Sequence, residues 1–321
     1  MDIYARNGIT TAQDGASSQE TIALMQAADA QGMINLDIIS YPIGQNGLDQ
    51  NLDSISFGNY TGRLKIGGIK LILDGSPQGK TAYLTEPYYK PPHSESDSYK
   101  GYPLIPQSEV SKWVKKYADL NIPIMAHANG DAAADMLIKA VKDADITSDH
   151  RTIMIHAQTV REDQLDQMKK LKIIPSYFST HTFYWGDWHR DSVFGEDRAM
   201  RISPTKSTLK RKMPFTVHND APVVPPDMIR LLWSTTNRKT RSGKVLGEEQ
   251  KISTYSALEA MTINAAYQHF EDDIKGTIEV GKQADLVVLS QDPLSIDTKD
   301  ILEIEVVATF SRGQEVFNAK K

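Results

Sequence analysis

Short apolar segments alternate with amphipathic segments along the first 270 residues, and this alternation constrains the fold more than any other feature. Strands that alternate with helices predict a parallel sheet with helical crossovers. An open doubly wound sheet usually has about five or six strands, and a (β/α)₈ barrel needs eight. Seven strand segments can be counted, and they lie near residues 9, 35, 66, 122, 152, 172 and 214.

The periodic segments between the strands predict helices, and two polar or aromatic stretches predict long loops. Helices are expected over residues 17–32, 107–121, 130–144, 161–171, 203–212 and 253–270. Loops are expected over residues 76–106 and 179–191.

The pattern of predicted secondary structure changes after residue 270. The stretches KGTIEVGKQADLVVLSQDPL and VVATFSRGQEVF are strand patterns with glycine turns and no amphipathic helix between them. We therefore expect residues 1–270 to form the α/β barrel unit and residues 271–321 to form part of a small β-domain.

Composition narrows the possible functions. The formal charge is −5, which favours neither nucleic acid nor an anionic membrane as a partner. No apolar run approaches the roughly 18 residues that span a bilayer. The first residues lack the basic and apolar segments of a signal peptide, but this does not define the compartment. Because the chain has no cysteine, disulfides, thiolate catalysis and cysteine-based zinc sites are excluded.

Three potential metal ligands follow predicted strands. His127 ends one strand, His156 ends the next, and Asp220 ends the last. In parallel barrels the reactive groups lie at the carboxyl ends of the strands, so these three side chains are expected to meet. Imidazole and carboxylate are ligands that zinc binds. Two simpler alternatives stay open: structural histidines, and an Asp220 that caps the following turn.

Lys70 lies inside a predicted strand bordered by isoleucine and leucine. A free ammonium ion is costly to bury. By the period of two, Lys70 shares a strand face with Asp74. An ion pair with Asp74 is the simpler interpretation; the alternative is chemical modification, since a carbamylated lysine would present a bridging carboxylate to two cations.

The chain resembles the metal-dependent amidohydrolase superfamily, in the amidohydrolase-3 branch that includes N-substituted formamide deformylases. The resemblance extends along essentially the whole chain. It is carried by the stretches IKLILDGSPQGKTAYLTEPY, MAHANGDAAAD, IHAQ, YWGDWHRD, RISPTKSTLKRKMPFTVHNDAPVVPPDMIRLLW, NRKTRSGKVLGEEQKIS, ALEAMTINAAY and KGTIEVGKQADLVVLSQDPL.

The resemblance implies a (β/α)₈ TIM barrel with a small flanking β-sandwich, and one or two divalent cations, with zinc expected. His127 and His156 correspond to the metal ligands after the fifth and sixth strands. Asp220 corresponds to the eighth-strand aspartate, which binds metal and takes a proton from the attacking water. Lys70 falls where many relatives carry a carbamylated lysine. The implied reaction is attack of a metal-activated hydroxide on a carbonyl.

One family feature is absent. The His-x-His pair of the first barrel strand is missing, since none of the eight histidines stands two residues from another. The strand near residue 9 matches the second strand of the family barrel. We therefore expect an N-terminally incomplete barrel, with weakened metal binding and poor activity. Its open strand edges predict a homo-oligomer or a complementing N-terminal chain as partner.

Other residues are expected near the mouth of the barrel, because loops that follow strands line substrate pockets in this fold. An ordinary aromatic-packed loop is the alternative for residues 179–191. His218 shares the inward face of its strand with Asp220 and is expected beside the metal or the substrate. The remaining candidates for substrate contacts are Lys80, Tyr83, His181, Tyr184, Trp185, Asp187 and His189.

The sequence thus predicts a metal-dependent hydrolase of non-peptide C–N bonds that acts on a small amide or formamide. A deaminase of the same superfamily is one alternative, although HANGD lacks the glutamate that deaminases typically place beside this histidine. A non-catalytic folded remnant or binding module is the other alternative.

Overall fold

The computed structural model describes residues 1–44 and 55–320. Its strands form two parallel arrangements that follow one another along the chain, and one antiparallel sheet near the C-terminus. The strands are β1 Thr11–Ser17, β2 Asp37–Pro42, β3 Tyr60–Thr61, β4 Leu64–Ile66, β5 Ile69–Ile72, β6 Ile124–Ala128, β7 Ile153–His156, β8 Ile174–Tyr177, β9 Thr216–Val217, β10 Leu286–Leu289, β11 Val306–Ser311 and β12 Gln314–Asn318.

The parallel strands run in the order β1-β2-β4 and then β5-β6-β7-β8-β9. β4 and β5 are two halves of one strand position, because β4 pairs with β2 and β5 pairs with β6. Gly67 and Gly68 separate the halves, and a parallel bridge from Ile43 to Lys70 joins the two sheets. A Cβ on Gly68 would lie 2.2 Å from the Pro123 carbonyl oxygen, so this close approach requires glycine. The seven predicted strand positions are therefore confirmed.

β1 and β9 are the outer strands of this order. The side chain of Gln268 lies between them. It accepts a hydrogen bond from Thr216 Oγ1 at 2.9 Å and donates one to Gln13 Oε1 at 3.3 Å. Thr216 belongs to β9 and Gln13 to β1, so a side chain connects the two outer strands.

The described residues also form eleven helices, several of which pack against one face of the parallel strands. They are α1 Asp2–Ala5, α2 Gln19–Ala30, α3 Gln107–Asp119, α4 Asp131–Ala144, α5 Glu162–Lys170, α6 His181–Trp188, α7 Glu196–Ala199, α8 Thr205–Lys210, α9 Met228–Asn237, α10 Thr254–Met261 and α11 Ile263–Gln268. A π-helical turn, His189–Val193, continues α6, and 3₁₀ turns cover Glu248–Gln250 and Thr298–Glu303. Among the described residues, no helix is long and apolar enough to cross a bilayer.

Several helices differ from the sequence-based expectations. The predicted loop 179–191 contains α6, and the helices α1, α7 and α9 were not predicted. The predicted helix 253–270 is broken at Thr262 into α10 and α11. In α6 aromatic residues occupy both sides of the helix, so its apolar residues show no helical period in the sequence.

The two faces of the parallel strands pack against different partners. Leu71, Ala126 and Met154 pack against the helices in the main core. Met125, Ile153 and Ile155 form a separate apolar cluster on the inner face, with Ile39 and Tyr41 of β2. This alternation places Lys70 and His127 on the inner face.

The C-terminal segment contains the antiparallel sheet β10-β11-β12. A buried ionic cluster ties the preceding residues to the start of β2 and to β4. Lys275 Nζ lies 2.6 Å from Asp37 and 3.1 Å from Glu271, and Lys65 Nζ lies 3.0 Å from Glu271. All four charged groups of this cluster are buried.

Candidate metal centre

The carboxyl ends of β6, β7 and β9 lie at one end of the sheet, because these strands are parallel and near neighbours. In the β6–β7 register, His127 is opposite Ile155 and Ala128 is opposite His156. The backbone nitrogen of His218 donates to the Tyr177 carbonyl at 3.0 Å, which extends β9 past β8. The predicted strand-end histidines therefore meet at one end.

His156, His218 and Asp220 form the compact group of this end. Each offers a ligand atom, and these atoms all lie within 4.8 Å of one another. His218 Nε2 is 3.2 Å from His156 Nδ1, and His218 Nδ1 is 2.9 Å from the Ser176 hydroxyl. His218 therefore belongs to the group itself. The sequence alone had left open whether it lies beside the metal or beside the substrate.

Two members of the group have left-handed backbones. His156 has φ 75° and Asp220 has φ 57°. Strand alternation alone would place the His156 side chain with Met154 on the helix-covered face. The positive φ turns the imidazole toward His218 instead. A positive φ is uncommon for residues other than glycine and tends to occur at functional sites.

Asp220 also begins a turn, as the alternative interpretation proposed. The turn is closed by its backbone carbonyl, which accepts from the Val223 nitrogen at 2.8 Å. The turn therefore does not require the carboxylate, which joins the two imidazoles.

His127 lies beside this group rather than within it. Its ring centroid is 4.5 Å from that of His156, with the rings nearly perpendicular. Its Nδ1 is 3.0 Å from Asp74 Oδ1, and its Nε2 is 3.2 Å from Asn129 Nδ2. The predicted trio of His127, His156 and Asp220 thus shares one neighbourhood, with His218 closer to the other two.

The predicted ion pair between Lys70 and Asp74 is wrong. The Asp74 carboxylate accepts hydrogen bonds from His127 and from backbone N–H groups instead. Burial lowers the pKa of Lys70 to about 8, and the negative charges of Asp220 and Asp14 oppose this shift. Strand alternation placed Lys70 and Asp74 on one face, but a histidine of the neighbouring strand is the closer partner of Asp74.

Burial also sets the charge states of the group. Burial, together with the charges of Lys70 and His127, lowers the pKa of His218 to about 3. Burial and the neighbouring imidazoles lower the pKa of His156 well below its ordinary value. Burial raises the pKa of Asp220, although Lys70 and His127 oppose this. Both histidines of the group are therefore neutral near pH 7 and keep a lone pair.

The residues present fit a divalent cation. Neutral imidazole nitrogens and a carboxylate oxygen are the ligand types that zinc binds. A tetrahedral ion with bonds of about 2.0 Å separates its ligand atoms by about 3.3 Å. The 3.2 Å between the two imidazole nitrogens is close to that value. His156, His218 and Asp220 could hold one such ion.

His181 and Trp185, both in α6, lie near the group. The His181 ring centroid is 6.3 Å from that of His156 and 5.5 Å from that of Trp185. Burial lowers the pKa of His181 well below its ordinary value. Its Nδ1 is buried, with no hydrogen-bond partner among the described residues. An unpaired buried nitrogen beside the group is available for a substrate contact.

His189 and Gln158 extend this buried polar region. Gln158 Nε2 is 3.3 Å from His189 Nδ1, and the His189 ring centroid is 5.6 Å from that of His181. Among the described residues, Gln158 Oε1 and His189 Nε2 also have no hydrogen-bond partner. Gln158 was not singled out from the sequence, although it directly follows the IHA segment.

Tyr83 lies in the long loop after β5 and is half-buried. Its backbone nitrogen donates to Asp74 Oδ2 at 3.0 Å, and its carbonyl accepts from the Ala132 nitrogen at 3.2 Å. The loop is thus anchored to the start of α4 by its backbone, close to Asp74 and His127.

Comparisons with known proteins give a family match and several similar chains. Residues 1–317 match the sequence model of the amidohydrolase family. The N-substituted formamide deformylase of Arthrobacter pascens is 24% identical, over 98% of this chain and 58% of that protein. Protein LONG AFTER FAR-RED 3 of Arabidopsis thaliana is 26% identical, over 79% of this chain and 43% of that protein.

A solved structure shows the same architecture. The crystal structure of an uncharacterized metal-dependent hydrolase from Pyrococcus horikoshii OT3 superposes with a TM-score of 0.76 and 26% identity, and covers 90% of this chain and 57% of that chain. The chain spans about half the length of the curated relatives it matches, at 47%, 58% and 43%.

Proposed function

The chain belongs to the amidohydrolase family, and from this premise we propose that it acts as a metal-dependent hydrolase of non-peptide C–N bonds, with a small amide or formamide as substrate. The observation that carries the proposal is the convergence of His156, His218 and Asp220 within 4.8 Å. Similarity to a protein named N-substituted formamide deformylase supports the formamide class.

In this proposal His156 and His218 hold the cation through neutral nitrogens, and Asp220 completes the set with one oxygen. When bound, a divalent cation supplies Lewis acidity that lowers the pKa of a water molecule and polarises a carbonyl. Burial raises the pKa of Asp220, and this makes its carboxylate a better proton acceptor than an exposed one. Asp220 would therefore take the proton of the attacking water and later return it to the leaving nitrogen.

Lys70 is proposed to adjust the charge of the site. With a pKa of about 8, part of its amine is neutral near physiological pH, and a neutral amine is the form that becomes carbamylated. A carbamate there would lie near two carboxylates, Asp14 and Asp220, so it would require cations to balance the charge. We propose that unmodified Lys70 balances the charge of Asp220, and that carbamylation of Lys70 would accompany metal binding.

The substrate is proposed to lie between the metal group and α6. In this proposal His181, Trp185 and the loop that contains Tyr83 would border the substrate. The unpaired His181 Nδ1 offers a neutral hydrogen-bonding partner for the substrate amide. We propose that His181 and Trp185 bind substrate, and that His127 supports the metal group from the side.

Zinc content tests the proposal most directly. After loading with zinc, wild-type protein should retain up to one ion per chain, because three ligands converge. His218→Gln should lower zinc retention at least tenfold, since loss of one of three ligands weakens coordination. The matched control is His93→Gln, because His93 is an exposed residue of the loop between β5 and α3 and is not a member of the group.

Hydrolysis of N-substituted formamides and simple amides is measured on the same samples. The proposal requires zinc retention and hydrolysis to fall together in His218→Gln and to persist in His93→Gln. Unchanged zinc content in His218→Gln would show that the metal is bound elsewhere. Close to two ions per wild-type chain would contradict the expected weakened site.

A further inference from the structure

Asp74 is a buried carboxylate whose hydrogen-bond contacts, among the described residues, are three backbone N–H groups and the His127 ring. Its Oδ1 lies 3.0 Å from His127 Nδ1 and 3.0 Å from the Asn129 backbone nitrogen. Its Oδ2 accepts from the Gly130 nitrogen at 2.8 Å and from the Tyr83 nitrogen at 3.0 Å. The residue is 1% exposed. A carboxylate with four such contacts is firmly held in place.

We propose that Asp74 is a positioning residue that keeps the proton of His127 on Nδ1, which leaves Nε2 as an acceptor in a ring that lies beside the metal group. The assignment of this tautomer follows from Asp74, whose ionised oxygens only accept hydrogen bonds. The assignment of the tautomer does not depend on the proposed function. Only the expected effect of His127 on metal binding rests on it.

Asn129 gives independent support for the same tautomer. Its side-chain Nδ2 donates to the Gly75 carbonyl at 3.0 Å, so this atom must be the amide nitrogen rather than the oxygen. The same Nδ2 lies 3.2 Å from His127 Nε2. A donor facing Nε2 requires Nε2 to be the acceptor, and the proton is therefore on Nδ1.

The surroundings of Asp74 also explain why asparagine cannot replace it. Three of its four partners are backbone N–H groups, which cannot become acceptors. An amide NH₂ at this position would face at least one donor. The His127 imidazole is the one partner that can adapt, by moving its proton to Nε2. A proton on Nε2 would in turn face the Asn129 Nδ2 donor, so Asp74→Asn is expected to lower the Nδ1-protonated fraction of His127 rather than to abolish it.

The same carboxylate links His127 to two other parts of the site. The Asn129 and Gly130 nitrogens lead into α4, and the Tyr83 nitrogen belongs to the loop after β5. Asp74 therefore fixes both the ring of His127 and the backbone that follows it. In metal sites a carboxylate orients a ligand histidine in the same way; here the oriented histidine lies beside the metal group.

The tautomer can be measured without metal or substrate. Long-range ¹H–¹⁵N correlation spectra distinguish Nδ1-protonated from Nε2-protonated imidazoles, and His127→Gln assigns the signal. Wild-type protein should show His127 protonated on Nδ1, and Asp74→Asn should show a smaller Nδ1-protonated fraction. A wild-type His127 protonated on Nε2 overturns the proposal, as does an unchanged Nδ1-protonated fraction in a folded Asp74→Asn. If this variant does not fold, the wild-type spectrum decides.

Metal affinity gives the second readout. Asp74→Asn should weaken binding of Zn²⁺ or Co²⁺ by about 10- to 100-fold, which is typical for partners of metal-bound histidines. The matched control is Asp131→Asn. Asp131 accepts from the Thr85 nitrogen at 2.9 Å and from Arg161 at 3.0 Å, next to the same loop and helix. Its contacts do not include His127, so the control should keep the wild-type affinity and tautomer.

The two readouts separate this inference from the proposed function. A wild-type chain that takes up neither ion refutes the proposed metal centre, and the spectra alone then decide the role of Asp74. An equal loss of affinity in both aspartate variants shows a general effect on folding and overturns the specific role of Asp74.

Discussion

Lys275→Met tests whether the ionic cluster beneath the sheet stabilises the fold. Lys275 Nζ donates to Asp37 at 2.6 Å and to Tyr60 Oη at 3.1 Å, and it forms an ion pair with Glu271 at 3.1 Å. Methionine keeps the apolar length of the side chain but removes the charge. Asp37 and Glu271 would then remain buried with fewer cations near them.

The size of the effect follows from the partners that remain. Removing one partner of a buried ion pair costs about 3–5 kcal/mol. Asp37 keeps Arg312 at 2.8 Å, and Glu271 keeps Lys65 at 3.0 Å, so neither carboxylate is left alone. We therefore expect Lys275→Met to lower the unfolding free energy by about 3 kcal/mol, which is the lower end of this range. With a urea m-value of about 3 kcal/mol/M, the midpoint should fall by about 1 M.

Urea titrations followed by circular dichroism measure this shift. Lys299→Met is the matched control, because Lys299 is exposed and pairs only at the surface with Asp297; its midpoint should equal that of the wild type. A Lys275→Met midpoint within about 0.2 M of wild type, equivalent to less than 1 kcal/mol, would refute the reasoning.

The pH dependence of the same variant checks the cause. Burial raises the pKa of Asp37, but Lys275 and Arg312 lower it more, so the net pKa lies below its usual value. Such a group stabilises the fold above its unfolded pKa of about 3.9, and the stabilisation is lost as pH falls through the folded pKa. The gap between wild type and Lys275→Met should therefore be full at neutral pH and narrow below about pH 4.

Three further variants test other parts of the structure. Arg238→Met should lower the unfolding free energy by about 3 kcal/mol or more, measured in urea, since Arg238 is 1% exposed and donates to three backbone carbonyls that would lose a charged partner. Gly130→Ala should destabilise by about 1–3 kcal/mol in the same assay, because the new Cβ would lie 1.8 Å from the Tyr83 carbonyl oxygen. Asp220→Asn should reduce amide hydrolysis by at least about 100-fold, with a circular dichroism spectrum like that of wild type; activity within tenfold of wild type would remove Asp220 from the proton-transfer role.

The strand positions could be predicted from the sequence because each strand is short, apolar and followed by a periodic helix. The break between β4 and β5 could not, because Gly67 and Gly68 interrupt a single strand pattern without changing its hydrophobicity. The helix α6 was missed because aromatic residues occupy several of its sides. Hydrophobic periodicity detects helices with one apolar face, and it does not detect helices that have apolar residues on several sides.

At the site, the sequence identified which strand ends carry the candidate ligands but not how close these side chains come to one another. His156 needed a positive φ to turn toward its partners, and strand alternation does not predict that rotation. The pairing of Asp74 with His127 joins residues 53 positions apart, so only the register of two strands reveals it. Side-chain partners across strands depend on register, which one sequence does not specify.

The buried ionic cluster and the candidate metal group lie at opposite ends of the parallel strands. Asp37 begins β2, and its ionic cluster lies at the amino ends of the strands, whereas His156 ends β7 and His218 follows β9 at the carboxyl ends. In barrels of this type, chemistry is placed at the carboxyl ends and stability at the amino ends. Mutations at such distant sites with no shared partners should add in their effects on unfolding. Lys275→Met should therefore lower stability while zinc affinity stays at the wild-type value, and a linked loss of both would show that the two ends are coupled through the strands.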